Sequence, residues 1–164
     1  MFFKKRKQKK ELIVHSPLKG ELIPLEEVPD PVFSQKMMGE GVGFIPNDGE
    51  IFSPVDGKVT QVFPTKHAIG IMTEGDVEVL LHLGLETVDL KGEGFTIEVE
   101  AGDQLKVNDR IGAFDLSFIE EKGKSKTSVL VFPNFAEKVE EQTILNKGDV
   151  DPGTEVIGLR LLQN

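Results

Sequence analysis

The chain has no cysteine. That absence excludes disulfides, thiolate catalysis and cysteine-based zinc sites, and it fits a reducing compartment. Histidine is scarce too. Only His15, His67 and His82 are present, so general acid–base or phosphoryl chemistry must fall to them. No apolar run approaches the roughly 20 residues of a membrane-spanning helix. The charged N-terminus has no apolar stretch behind it, which does not read as a signal peptide. Basic charge is rare after residue 10. Six of the 19 Lys and Arg residues lie within the first ten positions, leaving 13 against 28 acidic residues, a balance of −15. The whole chain carries −9, which argues against nucleic-acid binding, where Lys and Arg must neutralise phosphates.

What is present fits one domain. A chain of 164 residues with 38% apolar content has enough material for a core. The expected organisation is a basic tail, residues 1–10, ahead of a domain over residues 11–164. The tail, Met1-Phe2-Phe3 followed by six basic residues, suits weak contact with anionic lipid at about 1 kcal/mol per basic residue. A merely solvated tail is the plainer reading. A cytoplasmic location, with peripheral contact at the inner face of the membrane, follows as the expectation.

Beyond residue 10 the sequence reads as short strands cut by glycine and proline. The candidates are 11–15, 21–24, 43–46, 50–53, 58–63, 67–73, 76–83, 95–100, 110–114, 128–132 and 155–162. They are rich in Val, Ile, Leu and Phe and bounded by turn residues. Two short helices are predicted, Leu116–Lys122 behind an Asp115 N-cap and Asn134–Glu141 after Pro133. This spacing predicts an all-β fold, an antiparallel sandwich or barrel. Internal repetition points the same way. Ser16-Pro17-Leu18-Lys19-Gly20-Glu21-Leu22 recurs as Ser53-Pro54-Val55-Asp56-Gly57-Lys58-Val59, an offset of 37. Gly102-Asp103 through Ile111-Gly112 recurs from Gly148-Asp149 to Ile157-Gly158, an offset of 46. Either common turn words coincide, or two related halves share one core.

His15 stands alone beside a turn and reads as a surface or capped histidine. His67 and His82 are linked by position. Between them lies a hairpin whose turn centres on Glu74-Gly75, with glycine supplying positive φ. In that register paired positions sum to 149 and His67 opposes His82, with Cβ atoms about 4.5–5.5 Å apart. A one-residue slip would break the pairing. Alternation places Val77, Val79, Leu81 and Leu83 in the core. His82, Leu80, His67, Ile69 and Ile71 then share the outer face, an imidazole pair ringed by aliphatic side chains. The plainer alternative is an incidental surface pair.

The residues around the second histidine carry a resemblance. Val79-Leu80-Leu81-His82-Leu83-Gly84-Leu85-Glu86-Thr87-Val88, followed by Lys91-Gly92-Glu93-Gly94-Phe95, resembles the signature of the glucose-type Enzyme IIA family. These are phosphocarriers of the bacterial phosphoenolpyruvate-dependent sugar phosphotransferase system. Pro29-Asp30-Pro31-Val32-Phe33, Met38-Gly39-Glu40-Gly41, Pro64-Thr65-Lys66-His67-Ala68, Phe114-Asp115-Leu116 and Lys124-Ser125 extend it over residues 11–162. One departure is visible: Asp76 stands where the family usually has glycine.

The resemblance implies a pseudo-symmetric β-sandwich with barrel-like closure. It implies that His82 accepts a phosphoryl group on Nε2 from the phosphocarrier HPr and passes it to a IIB cysteine of a IIB/IIC sugar permease. His67 would bind the phosphoryl oxygens, Thr65 would orient His67, and the Gly84 carbonyl would hold His82 Nδ1–H. Val32, Phe33, Met37, Phe63, Leu80 and Val88 map onto the family's apolar docking patch. Glu86 and Asp30 would attract a basic partner at its rim. Phosphoryl transfer needs positioning and charge stabilisation, so no cofactor and no metal are expected.

Three rival readings fit less of the sequence. A zinc endopeptidase of the lysostaphin-like kind needs a His-x-His pair, and Leu80 occupies the first position. A biotinyl or lipoyl carrier needs a modifiable lysine at a hairpin tip. A metal-binding module would find only two histidines and would need a ligand from a partner.

Overall fold

A computed structural model describes residues 11–163. The basic tail read from residues 1–10 therefore lies outside the described residues. The strands are β1 (Glu11–His15), β2 (Gly20–Pro24), β3 (Glu40–Pro46), β4 (Glu50–Phe52), β5 (Gly57–Val62), β6 (Ala68–Met72) and β7 (Glu78–His82). They continue with β8 (Phe95–Ile97), β9 (Gln104–Leu105), β10 (Arg110–Phe114), β11 (Ser128–Phe132), β12 (Val139–Ile144), β13 (Gly148–Val150) and β14 (Glu155–Leu161). Three short helices interrupt them: α1 (Pro31–Ser34), α2 (Leu116–Glu121) and α3 (Phe135–Lys138).

All pairings are antiparallel. One sheet of eight strands runs β13-β2-β3-β11-β7-β6-β5-β9, and two sheets of three run β1-β14-β12 and β4-β10-β8. The large sheet ends on β13 and β9, so the sandwich does not close into a barrel. Val14, Ile51, Ile111 and Ile157 from the small sheets are fully buried with Phe44, Leu81 and Leu130 from the large one. A second cluster, Ile23, Leu25, Val28, Phe33, Leu85, Val129 and Val131, forms separately from that core.

The two halves are related as the repeats implied. Ser16 and Ser53 each donate a side-chain hydrogen bond to the carbonyl two residues on, both at 2.7 Å. His15 N–H donates to Pro54 O, and Phe52 N–H reciprocates to Pro17 O. The later segments match at an offset of 45, one less than the motif spacing suggested. Gly57 pairs with Leu105 as Gly20 pairs with Val150, and Arg110 pairs with Phe52 as Glu155 pairs with His15.

Asp115 caps α2 by accepting from Phe118 N–H at 3.1 Å. The helix predicted over 134–141 is only α3, because Asn134 is used elsewhere. Its amide accepts from Glu78 N–H at 2.9 Å and donates to Asp76 O at 2.8 Å, bracing the β6–β7 turn instead of capping a helix. The chain then enters β12, where Val139 is buried and pairs with Leu161.

Candidate active site

The β6–β7 hairpin differs from its predicted register by one residue. Ala68, not His67, opposes His82, and Ile69 opposes Leu81. The cause is the turn. Asp76 takes positive φ (62°), whereas Gly75 does not, and Thr73 N–H bonds Val77 O across a three-residue loop. Ile69 and Ile71 consequently face the core with Leu81 and Val79, and all four are buried. They do not ring the histidines.

His67 still reaches His82, because it precedes the strand. Lys66 adopts positive φ (59°) in the β5–β6 loop, and its N–H bonds Phe63 O. His67 is thereby released from strict alternation while its carbonyl accepts Leu83 N–H at 2.7 Å. The two imidazoles meet edge to face with centroids 4.9 Å apart.

The sheet around His82 is built from small residues. Its cross-strand partners are Ala68 and Val129, and Val129 in turn opposes Gly43. A Cβ at Gly43 would come within 2.5 Å of Val28 Cγ2, so only glycine admits the overlying segment. That segment carries α1. Asp30 caps it by accepting from Val32 N–H at 3.0 Å, and Pro31 supplies a preset φ in its first turn. The cap aims Phe33 at the site, where its ring lies 5.0 Å from that of His82. Phe63 meets His67 edge to face at 5.5 Å.

Each imidazole has its Nδ1 engaged. His82 Nδ1 lies 2.8 Å from Gly84 O, and His67 Nδ1 lies 2.5 Å from Thr65 Oγ1. A carbonyl can only accept, so a neutral His82 keeps its proton on Nδ1 and its lone pair on Nε2. The Thr65 hydroxyl can donate to His67 Nδ1, which leaves His67 Nε2–H as a donor. Burial pushes the His82 pKa down to about 4, aided by the neighbouring His67 and only partly opposed by the Gly84 carbonyl and Asp30. Burial also lowers that of His67. With its proton on Nδ1, His82 keeps the Nε2 lone pair free, and with Thr65 donating, His67 keeps an Nε2–H.

The proposed patch divides in two. Val32, Met37 and Val88 are well exposed, Glu86 is exposed, and Leu80 is half-buried against the second cluster. Phe33 is only 6% exposed, which makes it a wall of the site rather than an open docking residue. Two of the six non-glycine residues at positive φ among the described residues, Lys66 and Glu86, flank the histidines in sequence. His15 stands elsewhere, lining a separate open cleft of about 810 Å³ with Asp56, Glu74 and Gln104. Sequence reasoning missed Ser128, which accepts from Gly84 N–H at 3.0 Å across a separation of 44 residues. Its only signal was a serine heading an otherwise apolar strand.

The chain is similar to known proteins over most of its length. A family model described as phosphoenolpyruvate-dependent sugar phosphotransferase system, EIIA 1, matches residues 12–138. The chain is 53% identical over 134 residues to the PTS system glucose-specific EIIA component of Oceanobacillus iheyensis, spanning 82% of this chain and 81% of that one. Identity to the protein of the same name from Staphylococcus epidermidis is 47%, with the same coverage. Among solved structures, glucose permease IIA from Mycoplasma capricolum superposes with a TM-score of 0.83 at 36% identity. That match covers 96% of this chain and 99% of the other.

Proposed function

The chain belongs to the EIIA 1 family of the phosphoenolpyruvate-dependent sugar phosphotransferase system and is a phosphocarrier component of it; from that premise we propose that His82 Nε2 carries the phosphoryl group. The observation that carries this reading is the occupancy of the Nδ1 atoms. With Gly84 O on His82 and Thr65 Oγ1 on His67, the reactive edges left to both rings are their Nε2 atoms.

The family works between HPr and a IIB/IIC sugar permease. In the first half-reaction the His82 Nε2 lone pair forms a bond to phosphorus as the phosphorus–nitrogen bond of phospho-HPr breaks. The electron pair of that bond returns to the donor's imidazole. Positive charge developing on the His82 ring is met by the Gly84 carbonyl at Nδ1. His67 Nε2–H donates to the phosphoryl oxygens, and Thr65 holds His67 in the tautomer that can do so. In the second half-reaction a IIB cysteine thiolate attacks phosphorus, and the pair of the breaking bond returns to His82 Nε2. A loose transition state asks little beyond this positioning and charge balance. The scheme uses no cofactor and no metal.

The exposed Val32, Met37 and Val88, with half-buried Leu80 and Phe63, would dock each partner in turn, and Glu86 would speed encounter with a basic surface. The names of the relatives support a glucose permease as acceptor, tested by phosphotransfer to a panel of IIB domains. The proposed location is cytoplasmic, with the basic tail touching anionic lipid. Deleting residues 1–10 should then slow transfer to a membrane-embedded permease but not to a soluble IIB domain. Equal slowing on both, or none on either, would count against lipid attachment. For the central assignment, His82→Ala should abolish labelling by phospho-HPr while the fold survives. Labelling that persists in the variant, or maps to His15, would refute it.

A further inference from the structure

We propose that Ser128 is a positioning residue for phosphoryl transfer, fixing the aim and tautomer of His82 through the Gly84 backbone. The inference rests on the reading of His82 as the acceptor and deepens it. Gly84 sits at φ +74°, a conformation with no side chain to steady it. Its carbonyl decides which His82 nitrogen keeps the proton, so rotation of the peptide groups around it would release the ring.

Three contacts oppose that rotation. Gly84 N–H donates to Ser128 Oγ at 3.0 Å, Leu85 N–H donates to Ser125 O at 2.9 Å, and Thr87 Oγ1 donates to Leu83 O at 2.6 Å. The peptide before Gly84 is thus held at both its carbonyl and its N–H. The peptide after it is held at its N–H, which in a trans peptide points its carbonyl the opposite way, toward His82. Of the three, Ser128 is the side chain that holds the Gly84 N–H itself, and it does so from a different strand. The β7–β11 pairing ends at His82 and Val129, so no ladder bond anchors Gly84 and the serine hydroxyl takes its place.

That hydroxyl has no freedom to turn away. It donates to Lys126 O at 3.0 Å, which directs its lone pair toward Gly84, and Ser128 and Thr87 are fully buried. Water cannot substitute cheaply at such a position. Adding a Cβ at Gly84 would also fail, since it would lie 2.5 Å from Thr87 Cγ2 and 2.9 Å from Ser125 O. The loop is tight enough to transmit a lost contact to the ring.

The test uses the full chain carrying Ser128→Ala or the nearly isosteric Ser128→Cys, whose sulfur accepts only weakly. Nitrogen-15 NMR of the unphosphorylated protein reads the His82 tautomer, and quenched reactions with phospho-HPr read the acceptance rate. The wild type should show His82 with Nδ1 protonated and Nε2 bare. Both variants should show mixed tautomers, with acceptance slowed by about 10²-fold in Ser128→Ala, the scale of misplacing a reacting group, and by less in Ser128→Cys. If Ser128→Ala does not fold, Ser128→Cys decides. A wild-type tautomer and rate in a folded variant would overturn the proposal. The tautomer readout needs no phosphoryl group: a shifted tautomer in a protein that is never labelled at His82 would sink the acceptor assignment, and Ser128's part in phosphoryl transfer with it, leaving only its hold on the His82 tautomer.

Discussion

Burial of His82 should make this protein lose stability in mild acid, by an amount a single substitution isolates. The free imidazole titrates near 6.5, whereas in the fold Phe33, the sheet and His67 bring His82 down to about 4. A depressed histidine means that the unfolded chain takes up a proton before the native one does. Above about pH 7 neither state is protonated and the linkage contributes nothing. As pH falls from 6.5 toward 4 the unfolded state gains the proton alone and stability falls. Below 4 both states carry it and the loss levels off at about 3 kcal/mol. At pH 5 roughly 2 kcal/mol should already be gone. With a urea dependence of about 2 kcal/mol per molar, typical for a domain of this size, the midpoint should drop by about 1 M between pH 7.5 and pH 5. His82→Gln cannot titrate and should lack that component, retaining only what the carboxylates and His67 contribute. The assay is urea unfolding of both proteins at several pH values, taken as a difference of differences. Parallel pH dependence in the two proteins would show that His82 is not held neutral by its surroundings, and the argument for a ready lone pair would fail.

Two further outcomes follow from the same geometry. His67→Gln keeps an N–H donor but cannot become cationic, so acceptance from phospho-HPr should survive while onward transfer to a IIB acceptor slows by about 10²–10³, the scale of losing one electrostatic donor; stopped reactions separate the steps, and equal loss in both would reduce His67 to a support. Phe33→Ala removes a buried ring and should cost about 3–5 kcal/mol of stability. It should also raise the His82 pKa toward 6.5 by admitting water, a titration readable by NMR, and an unchanged pKa would show that Phe33 does not desolvate the site.

How the sequence conveyed this site is instructive. The strands 11–15, 110–114 and 128–132 were legible to the residue because β-branched and aromatic runs there end at clear turn residues. The histidine pair was legible too, but through a register that the structure shifts by one. A non-glycine residue, Asp76, took the left-handed turn position, which periodicity alone does not reveal. The second half of that shift, His67 leaving the strand pattern at Lys66, restored the juxtaposition. β12 escaped notice because Glu140, Glu141, Gln142 and Thr143 read as solvated: it is an edge strand largely open on both faces. α1 was invisible to any helical period, being four residues long, though Asp30-Pro31 is a capping pattern. Ser128 left only the faint signal of a serine heading an apolar strand, since the folded sheet is what brings it to Gly84.

The most direct test of the central claim is to locate the phosphoryl group by atom. Ring-labelled protein would be phosphorylated with phosphoenolpyruvate, Enzyme I and HPr, and phosphorus–nitrogen couplings measured at alkaline pH. The geometry predicts one phosphoryl group, on Nε2 of His82, with the Nδ1 proton retained against Gly84 O. A phosphoryl group on His67 or His15, or on Nδ1 of His82, would contradict it.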